Sequence, residues 1–143
     1  MRKVAVVYAT RTGETEKMAR AIAEGVRAMG GEAELLRAEE VTEPAVLDAY
    51  GALAVGTPTQ EAKEVGEITA FLDRLAASGV QGKYAAAFGS YGWSGEGPYR
   101  VALRLERECG MKMVAEPLRA RQGVKDADLD GCRAFGMKLV FAA

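Results

Sequence analysis

The chain contains no histidine and only two cysteines, and these absences narrow the chemistry that it can perform. Without histidine, Ser-His-Asp and Cys-His catalysis are excluded, and a zinc site would have only two cysteines and carboxylates as ligands. Cys109 and Cys132 lie far apart and outside any CxxC pattern. We therefore interpret both as packed or idle thiols rather than as a redox pair or metal ligands.

Long apolar runs and an excess of charge are also missing. No run approaches the ~20 apolar residues of a membrane-spanning helix. The opening MRKVAVVY has a short apolar run and no small-residue cleavage site, so it predicts a strand rather than a signal peptide. The 19 basic and 20 acidic residues nearly cancel, which gives nucleic-acid binding no electrostatic support. We expect a cytoplasmic protein with neither nucleic-acid nor membrane partners.

What is present is an alternation of apolar, β-rich runs with longer segments of helical period. The 143 residues are enough for one domain with its own core, and we expect a single domain over residues 1–143. The predicted strands are residues 3–8, 32–37, 51–57, 83–90 and 111–118. The predicted helices are residues 14–29, 65–77, 98–109 and 129–141, with a short helical turn near 46–48. This alternation is typical of an α/β fold with a doubly wound parallel sheet.

In such a sheet, ligands lie beyond the carboxyl ends of the strands, so the loops after strands one, three and four are the candidate site. The first of these loops, TRTGET, places Thr10, Thr12 and Thr15 around Gly13. Free first-turn amides and the helix dipole favour an anion there. Ordinary N-capping by Thr12 would explain one hydroxyl. Three hydroxyls favour a phosphate, with Arg11 either a solvated charge or a phosphate contact.

Missing motifs narrow the kind of phosphate. The loop has no GxxxxGK[ST] pattern and no lysine, which argues against a nucleoside triphosphate with Mg²⁺. It also lacks the GxGxxG pattern of a dinucleotide clamp. A terminal monophosphate held by amides and hydroxyls fits best.

The two other loops are polar and rich in glycine. In GTPTQEAKEVGE, Thr57, Pro58 and Thr59 predict a rigid polar turn, which is also consistent with a plain connection. FGSYGWSGEGPY carries four glycines and the only tryptophan, Trp93. An exposed indole leaves apolar area in water unless the domain, an oligomer contact or a planar ligand covers it. Together the three loops would hold a phosphate and a planar ring, which is the shape of flavin mononucleotide (FMN).

At these loops the sequence resembles the flavodoxin family over essentially its whole length. TRTGET matches the family's phosphate loop Thr/Ser-x-Thr-Gly-x-Thr, and GTPT resembles the second flavin loop. FGSYGWSGEG resembles the third flavin loop of clostridial-type flavodoxins and of the flavodoxin domains of flavodiiron (A-type) flavoproteins. The resemblance implies a short-chain flavodoxin-like sheet with strand order 2-1-3-4-5 and FMN bound without a covalent link.

The resemblance also implies a role for each loop residue, with no catalytic side chain and no metal. The phosphate would be bound by Thr10, Arg11, Thr12, Gly13, Glu14 and Thr15. The ribityl chain and one side of the ring would contact Thr57, Pro58 and Thr59. The isoalloxazine would be enclosed by Ser90, Tyr91, Gly92, Trp93 and Gly95, with Trp93 stacked on it.

The implied function is electron transfer between redox partner proteins, as a carrier rather than a stand-alone enzyme. Two alternatives stay open: an FMN-dependent quinone or metal reductase, and a flavin-free docking domain of the same fold. The sequence also departs from the family, because TPTQEA has no glycine where many members flip a peptide toward the flavin N5 after one-electron reduction. A flip here would place a non-glycine residue in a costlier conformation, so we expect weaker stabilisation of the singly reduced cofactor.

Overall fold

The computed structural model describes residues 2–143, which form alternating strands and helices. The strands are β1 (Lys3–Tyr8), β2 (Glu32–Arg37), β3 (Ala52–Gly56), β4 (Thr59–Gln60), β5 (Lys63–Glu64), β6 (Tyr84–Tyr91), β7 (Lys112–Met113) and β8 (Leu118–Arg121). The α-helices are α1 (Glu14–Ala28), α2 (Gly66–Ser78), α3 (Glu96–Arg107) and α4 (Asp126–Ala142). Two short 3₁₀ helices, Ala38–Glu40 and Pro44–Ala49, connect β2 to β3.

The central sheet is parallel and runs in the order β2-β1-β3-β6, with β7 and β8 both pairing with β6 at the far edge. Strands β4 and β5 form a separate antiparallel hairpin in the loop after β3. The predicted doubly wound α/β fold is therefore confirmed, and its fifth strand position is shared by β7 and β8.

Two apolar layers fill the space between the sheet and the helices. Successive strand residues point to opposite faces, so Val4 and Val6 pack on one side of β1 while Ala5 and Val7 pack on the other. The layer of Val4 and Val6 includes residues of α1 and α4, and the opposite layer includes residues of α2 and α3. Both faces of β1 are buried, which explains why its sequence is continuously apolar.

The prediction of one continuous fifth strand was wrong. β7 ends at Met113 and β8 begins at Leu118, so residues 114–117 interrupt the strand. Pro117 has no N–H to donate to β6 and restricts the residue before it, which breaks the ladder at this point. The strand then continues to Arg121, three residues beyond the predicted end. Only four residues separate the two halves, which is consistent with the short-chain form.

The ends of the helices follow local capping signals. After α1, Gly30 has a φ of 82°, and the amides of Gly30 and Gly31 donate to the carbonyls of Arg27 and Val26. This is a Schellman ending, and it ends α1 one residue before the predicted bound at residue 29. Helix α4 begins three residues earlier than predicted, since the Asp128 carboxylate accepts a hydrogen bond from the Lys125 amide.

Both cysteines lie in the core, which fits their interpretation as packed thiols. Burial raises the pKa of the Cys132 thiol to about 12, so this group stays protonated at neutral pH. Across residues 2–143, none of the helices has the length and apolar character needed to span a membrane.

Candidate functional site

The first loop, residues 10–15, turns from β1 into α1 with a conformation that leaves amides free. Gly13 occupies the N-cap position with a φ of 87°, a region that glycine adopts without strain. The alternative in which Thr12 is an ordinary N-cap is therefore excluded. Instead, the Thr10 hydroxyl accepts a hydrogen bond of 3.0 Å from the Gly13 amide. Thr10, which lies three residues before the N-cap, thus fixes the turn.

The start of α1 presents donors that have no partner of their own. Within residues 2–143, the amides of Thr12, Glu14 and Thr15 donate to no other group, and the Thr12 hydroxyl is exposed. Unpaired first-turn amides together with the helix dipole form an anion-binding arrangement. This geometry fits the terminal phosphate that the sequence predicts for the loop.

The Arg11 side chain is engaged by α2. Its guanidinium donates two hydrogen bonds to Glu67 on α2, at 2.5 and 2.7 Å. These hydrogen bonds outweigh partial burial and hold the pKa of the Glu67 carboxyl below its usual range. The Arg11 side chain therefore bridges the first loop and α2 through an ion pair with Glu67.

Thr15 and Glu14 connect the first loop to other strand ends. The Thr15 hydroxyl lies 2.8 Å from the Ser90 hydroxyl at the end of β6, and both residues are buried. The Glu14 carboxylate accepts a hydrogen bond of 3.2 Å from the Val124 amide after β8. The Thr15–Ser90 contact brings the first and third predicted loops together, which linear spacing alone does not reveal.

The second loop, residues 57–65, is closed at its base by a buried threonine. The Thr57 hydroxyl donates to the Pro58 carbonyl at 2.8 Å and accepts from the Val65 amide at 3.1 Å. Between these points β4 and β5 pair around Glu61 and Ala62, whose φ values are 51° and 64°. Two central residues with positive φ are typical of a type I′ hairpin turn, which normally selects Asn-Gly. The sequence lacks that signal, so the hairpin was not predicted.

Thr59 joins the second loop to the third. Its hydroxyl accepts a hydrogen bond of 2.9 Å from the amide of Gly97, in the first turn of α3. The threonine thus caps a helix that begins nearly forty residues later, a role usually filled by a local side chain. Glycine at position 97 permits this contact, since a Cβ atom would lie 2.7 Å from the Thr59 hydroxyl oxygen and would displace it.

Glu64 is a buried carboxylate that sequence reasoning missed. It accepts hydrogen bonds of 3.0 Å from Arg100 on α3 and from Thr69 on α2, and its side chain is 4% exposed. Burial alone would raise the pKa of Glu64, but the hydrogen bonds outweigh it and lower that pKa. The only sequence signal was a polar residue next to the apolar Val65, which is too weak to identify a buried charge.

The third loop, residues 91–95, leaves its aromatic residue uncovered. Trp93 is 96% exposed, and Ser90 just before the loop is buried. Gly92 and Gly95 allow close packing, since Cβ atoms there would lie 2.9 Å from Gln122 and 2.6 Å from Arg119. The loop is thus supported from β8 while its indole faces solvent, where a planar ligand would cover apolar area.

These contacts place the three predicted loops at one edge of the sheet. The arrangement offers free amides and a hydroxyl for an anion, a polar turn, and an uncovered aromatic face. Within residues 2–143, no three His, Cys, Asp or Glu side chains are grouped as metal ligands. A doubly wound parallel sheet with such loops at its carboxyl edge defines the class of α/β proteins that bind a phosphate-bearing cofactor in that crevice.

Comparison with known proteins identifies the family within this class. The flavodoxin family model matches residues 6–136, and the chain belongs to the flavodoxin family. A flavodoxin from the domain Archaea is 35% identical, with a TM-score of 0.90 over 97% of this chain and 96% of that chain. The predicted resemblance is therefore confirmed, and family membership supports FMN as the cofactor and electron transfer as the role.

Other relatives are longer proteins. Diflavin flavoprotein A 2 of Thermosynechococcus vestitus is 34% identical over 135 residues, which cover 92% of this chain but 23% of the relative. The flavodoxin of Aquifex aeolicus is 43% identical over 100 residues, which cover 66% of this chain and 54% of the relative. The chain thus spans about a quarter to a half of the length of these curated relatives.

Proposed function

We propose that residues 1–143 form a single flavodoxin domain that binds FMN without a covalent link and carries electrons between redox partner proteins in the cytoplasm. One observation supports this most directly. Amides without a hydrogen-bond partner at the start of α1 and the solvent-facing indole of Trp93 occur at the same edge of the sheet. A phosphorylated ligand with a flat ring satisfies both features. When bound, FMN would supply one- or two-electron redox chemistry.

The chain's own groups would bind and orient the cofactor. The amides of Thr12, Glu14 and Thr15, with the Thr12 hydroxyl, would hold the phosphate. The Arg11 amide would add a further donor, and Gly13 would form the turn between them. The Thr10 hydroxyl oxygen accepts a hydrogen bond from the Gly13 amide, so Thr10 would position the turn, and its own O–H group would be available to the phosphate.

The second and third loops would hold the rest of the cofactor. Thr57, Pro58 and Thr59 would line the ribityl chain, and Ser90, Tyr91, Gly92, Trp93 and Gly95 would enclose the ring. Within this arrangement, Thr57 and Ser90 act mainly through the loop hydrogen bonds that they form, because both are buried. No side chain has to transfer a proton.

The direct test is titration of the purified protein with FMN and with riboflavin, followed by flavin fluorescence. We expect FMN to bind more tightly than riboflavin, because only FMN carries the phosphate. Thr12→Val should weaken FMN binding on the order of tenfold without affecting riboflavin, since a hydrogen bond to a charged group contributes about 1.5–3 kcal/mol.

Trp93→Ala tests the ring end of the site and should weaken both ligands on the order of tenfold, because stacked aromatic pairs contribute about 0.5–1.5 kcal/mol beyond area burial. Phe141→Ala removes another exposed aromatic side chain, at the far end of α4, and is the matched control. A protein that binds neither flavin would contradict the proposal and favour a flavin-free docking domain. Oxidation of nicotinamide by the loaded protein alone, with a quinone as acceptor, would instead favour a reductase.

A further inference from the structure

Two arginines of β8 lie over tyrosine rings beside the third loop. The guanidinium of Arg119 lies 4.9 Å from the ring centre of Tyr99 on α3 and 5.6 Å from that of Tyr91 at the end of β6. The guanidinium of Arg121 lies 5.7 Å from the same Tyr91 ring. These four residues are called the Arg–Tyr stack below. Stacking on aromatic faces restrains each guanidinium while leaving its N–H groups free.

The donors of the stack are unused. Within residues 2–143, neither Arg119 nor Arg121 forms an ion pair or donates a hydrogen bond, and both are exposed. Other arginines of the chain are engaged; Arg104, for example, pairs with Asp73 and Glu108. Two restrained cations with free planar donors are suited to bind carboxylates in a bidentate manner.

The surroundings of the stack add to its positive charge. Tyr91, Arg119 and Arg121 line an open recess of about 400 Å³ that also includes Lys125. The acidic residue lining this recess is Asp128, whose carboxylate already accepts the Lys125 amide. The recess therefore presents three basic side chains against one engaged carboxylate.

The stack also lies against the loop that carries Trp93. A terminal nitrogen of Arg119 lies 2.6 Å from the position of a Cβ atom on Gly95, and the Gln122 amide donates to the Tyr91 carbonyl at 2.7 Å. The two positive charges are thus next to the part of the molecule where a bound ring would be exposed. Salt limits the range of such charges to about 8 Å under physiological conditions, so position near the ring matters more than net charge.

We propose that the Arg–Tyr stack is the docking surface for a carboxylate-rich face of the redox partner protein. This inference rests on the proposed FMN-dependent electron transfer. The formal net charge of the chain is −1, so long-range attraction of an acidic partner is negligible and local charge has to orient it. An open surface flanked by tyrosines fits a protein face better than a small ligand, and the near-neutral chain gives no support to a nucleic acid.

The first test measures the sign of the charge at the ring edge. FMN-loaded protein is reduced with dithionite, and the excess dithionite is removed. The reduced protein is then mixed with ferricyanide, which takes one electron per molecule and becomes ferrocyanide. The double variant Arg119→Gln/Arg121→Gln, called the stack variant, is compared with the double variant Arg107→Gln/Lys138→Gln, which is the control. The control removes two positive charges from exposed positions in the C-terminal parts of α3 and α4, neither of which lines the recess of the stack.

We expect the stack variant to be oxidised about tenfold more slowly than wild type at 10 mM salt, because a trivalent anion then loses two attracting charges. The difference should disappear at 1 M salt, where the Debye length is about 3 Å. Hexaammineruthenium(III), a trivalent cation, should react faster with the variant. Equal ferricyanide rates for the stack and control variants would overturn the proposal.

The second test does not depend on flavin. Binding of poly-L-glutamate to wild type is measured by isothermal titration calorimetry, with and without FMN, and should weaken at least fivefold in the stack variant but not in the control. The contrary outcome is that the stack variant loses binding of NADPH or of a single-stranded oligonucleotide while it binds poly-L-glutamate as wild type does. That result would show a nucleotide or nucleic-acid site and would overturn the proposal. A protein that stays colourless with FMN contradicts the proposed function instead, and the calorimetry still tests the stack.

Discussion

Helices α1 and α4 cross so closely that two glycines set their separation, and this contact yields a sharp prediction. A Cβ atom on Gly136 of α4 would lie 2.1 Å from the carbonyl oxygen of Ile22 on α1. In return, a Cβ atom on Gly25 of α1 would lie 2.0 Å from the carbonyl oxygen of Arg133. Each glycine faces backbone rather than a movable side chain, so a methyl group can be accommodated only if the helices separate.

Gly136→Ala should therefore destabilise the protein. Overpacking of a close contact costs about 1–3 kcal/mol, and an obstacle of backbone atoms favours the upper end of that range. The intrinsic helix preference of alanine over glycine offsets about 1 kcal/mol of this loss. The expected net loss in the free energy of unfolding is about 2 kcal/mol.

Gly131→Ala is the matched control, because it makes the same change in the same helix at a position with no heavy atom within 4 Å of the new methyl group. It should stabilise the protein by about 1 kcal/mol. In urea, with an m-value of about 2 kcal/mol/M, the midpoints of the two variants should differ by more than 1 M. FMN affinity should fall only in Gly136→Ala, since α1 carries the amides of the first loop. Equal stabilisation by both substitutions would refute the close-contact argument.

Three further predictions concern the second loop. Thr59→Val removes the hydroxyl that accepts the Gly97 amide, so it should lower stability by about 1 kcal/mol and weaken FMN binding, as measured by urea unfolding and flavin titration. Glu64→Gln should cost about 2 kcal/mol at pH 7, because the charged hydrogen bond from Arg100 is lost. The lowered pKa of Glu64 stabilises the fold above the ordinary glutamate pKa of ~4.3, so the difference from wild type should vanish as the pH falls through the folded-state pKa; a constant difference down to pH 3 would contradict this. Ala62→Gly should stabilise the hairpin by roughly 0.5–1 kcal/mol, because φ is 64° there, and a destabilised variant in the same urea assay would argue against the type I′ turn.

The sequence was most informative where one local signal dominates. The bounds of β1 and β2 were predicted without error, because a buried parallel strand and its alternating neighbour differ clearly from the flanking loops. The fifth strand was misjudged because its apolar run continues through Pro117. Whether the missing N–H of one proline interrupts a strand depends on the hydrogen bonds that the partner strand requires there. Three loops were likewise recognised at one edge, since strand alternation determines where parallel strands end.

What the sequence did not indicate depends on contacts between distant segments. Arg11 pairs with Glu67, and Thr59 caps a helix that begins after β6; neither partner can be found by local spacing. Glu64 looked like an ordinary surface charge until the fold enclosed it. Arg119 and Arg121 are two unremarkable basic residues in the sequence, and only the tyrosines on β6 and α3 give them a defined orientation.

The hydrogen bond between Thr59 and Gly97 has a consequence for how quickly a ligand can enter and leave. It joins β4 of the second loop to the first turn of α3, which follows the third loop, and a helix cap of this kind contributes about 1 kcal/mol. Breaking it changes the population ratio by a factor of only about five. With FMN held between these loops as proposed, loss of this one hydrogen bond would let them separate at a small cost in free energy, so cofactor exchange and tight binding would be compatible in one small domain.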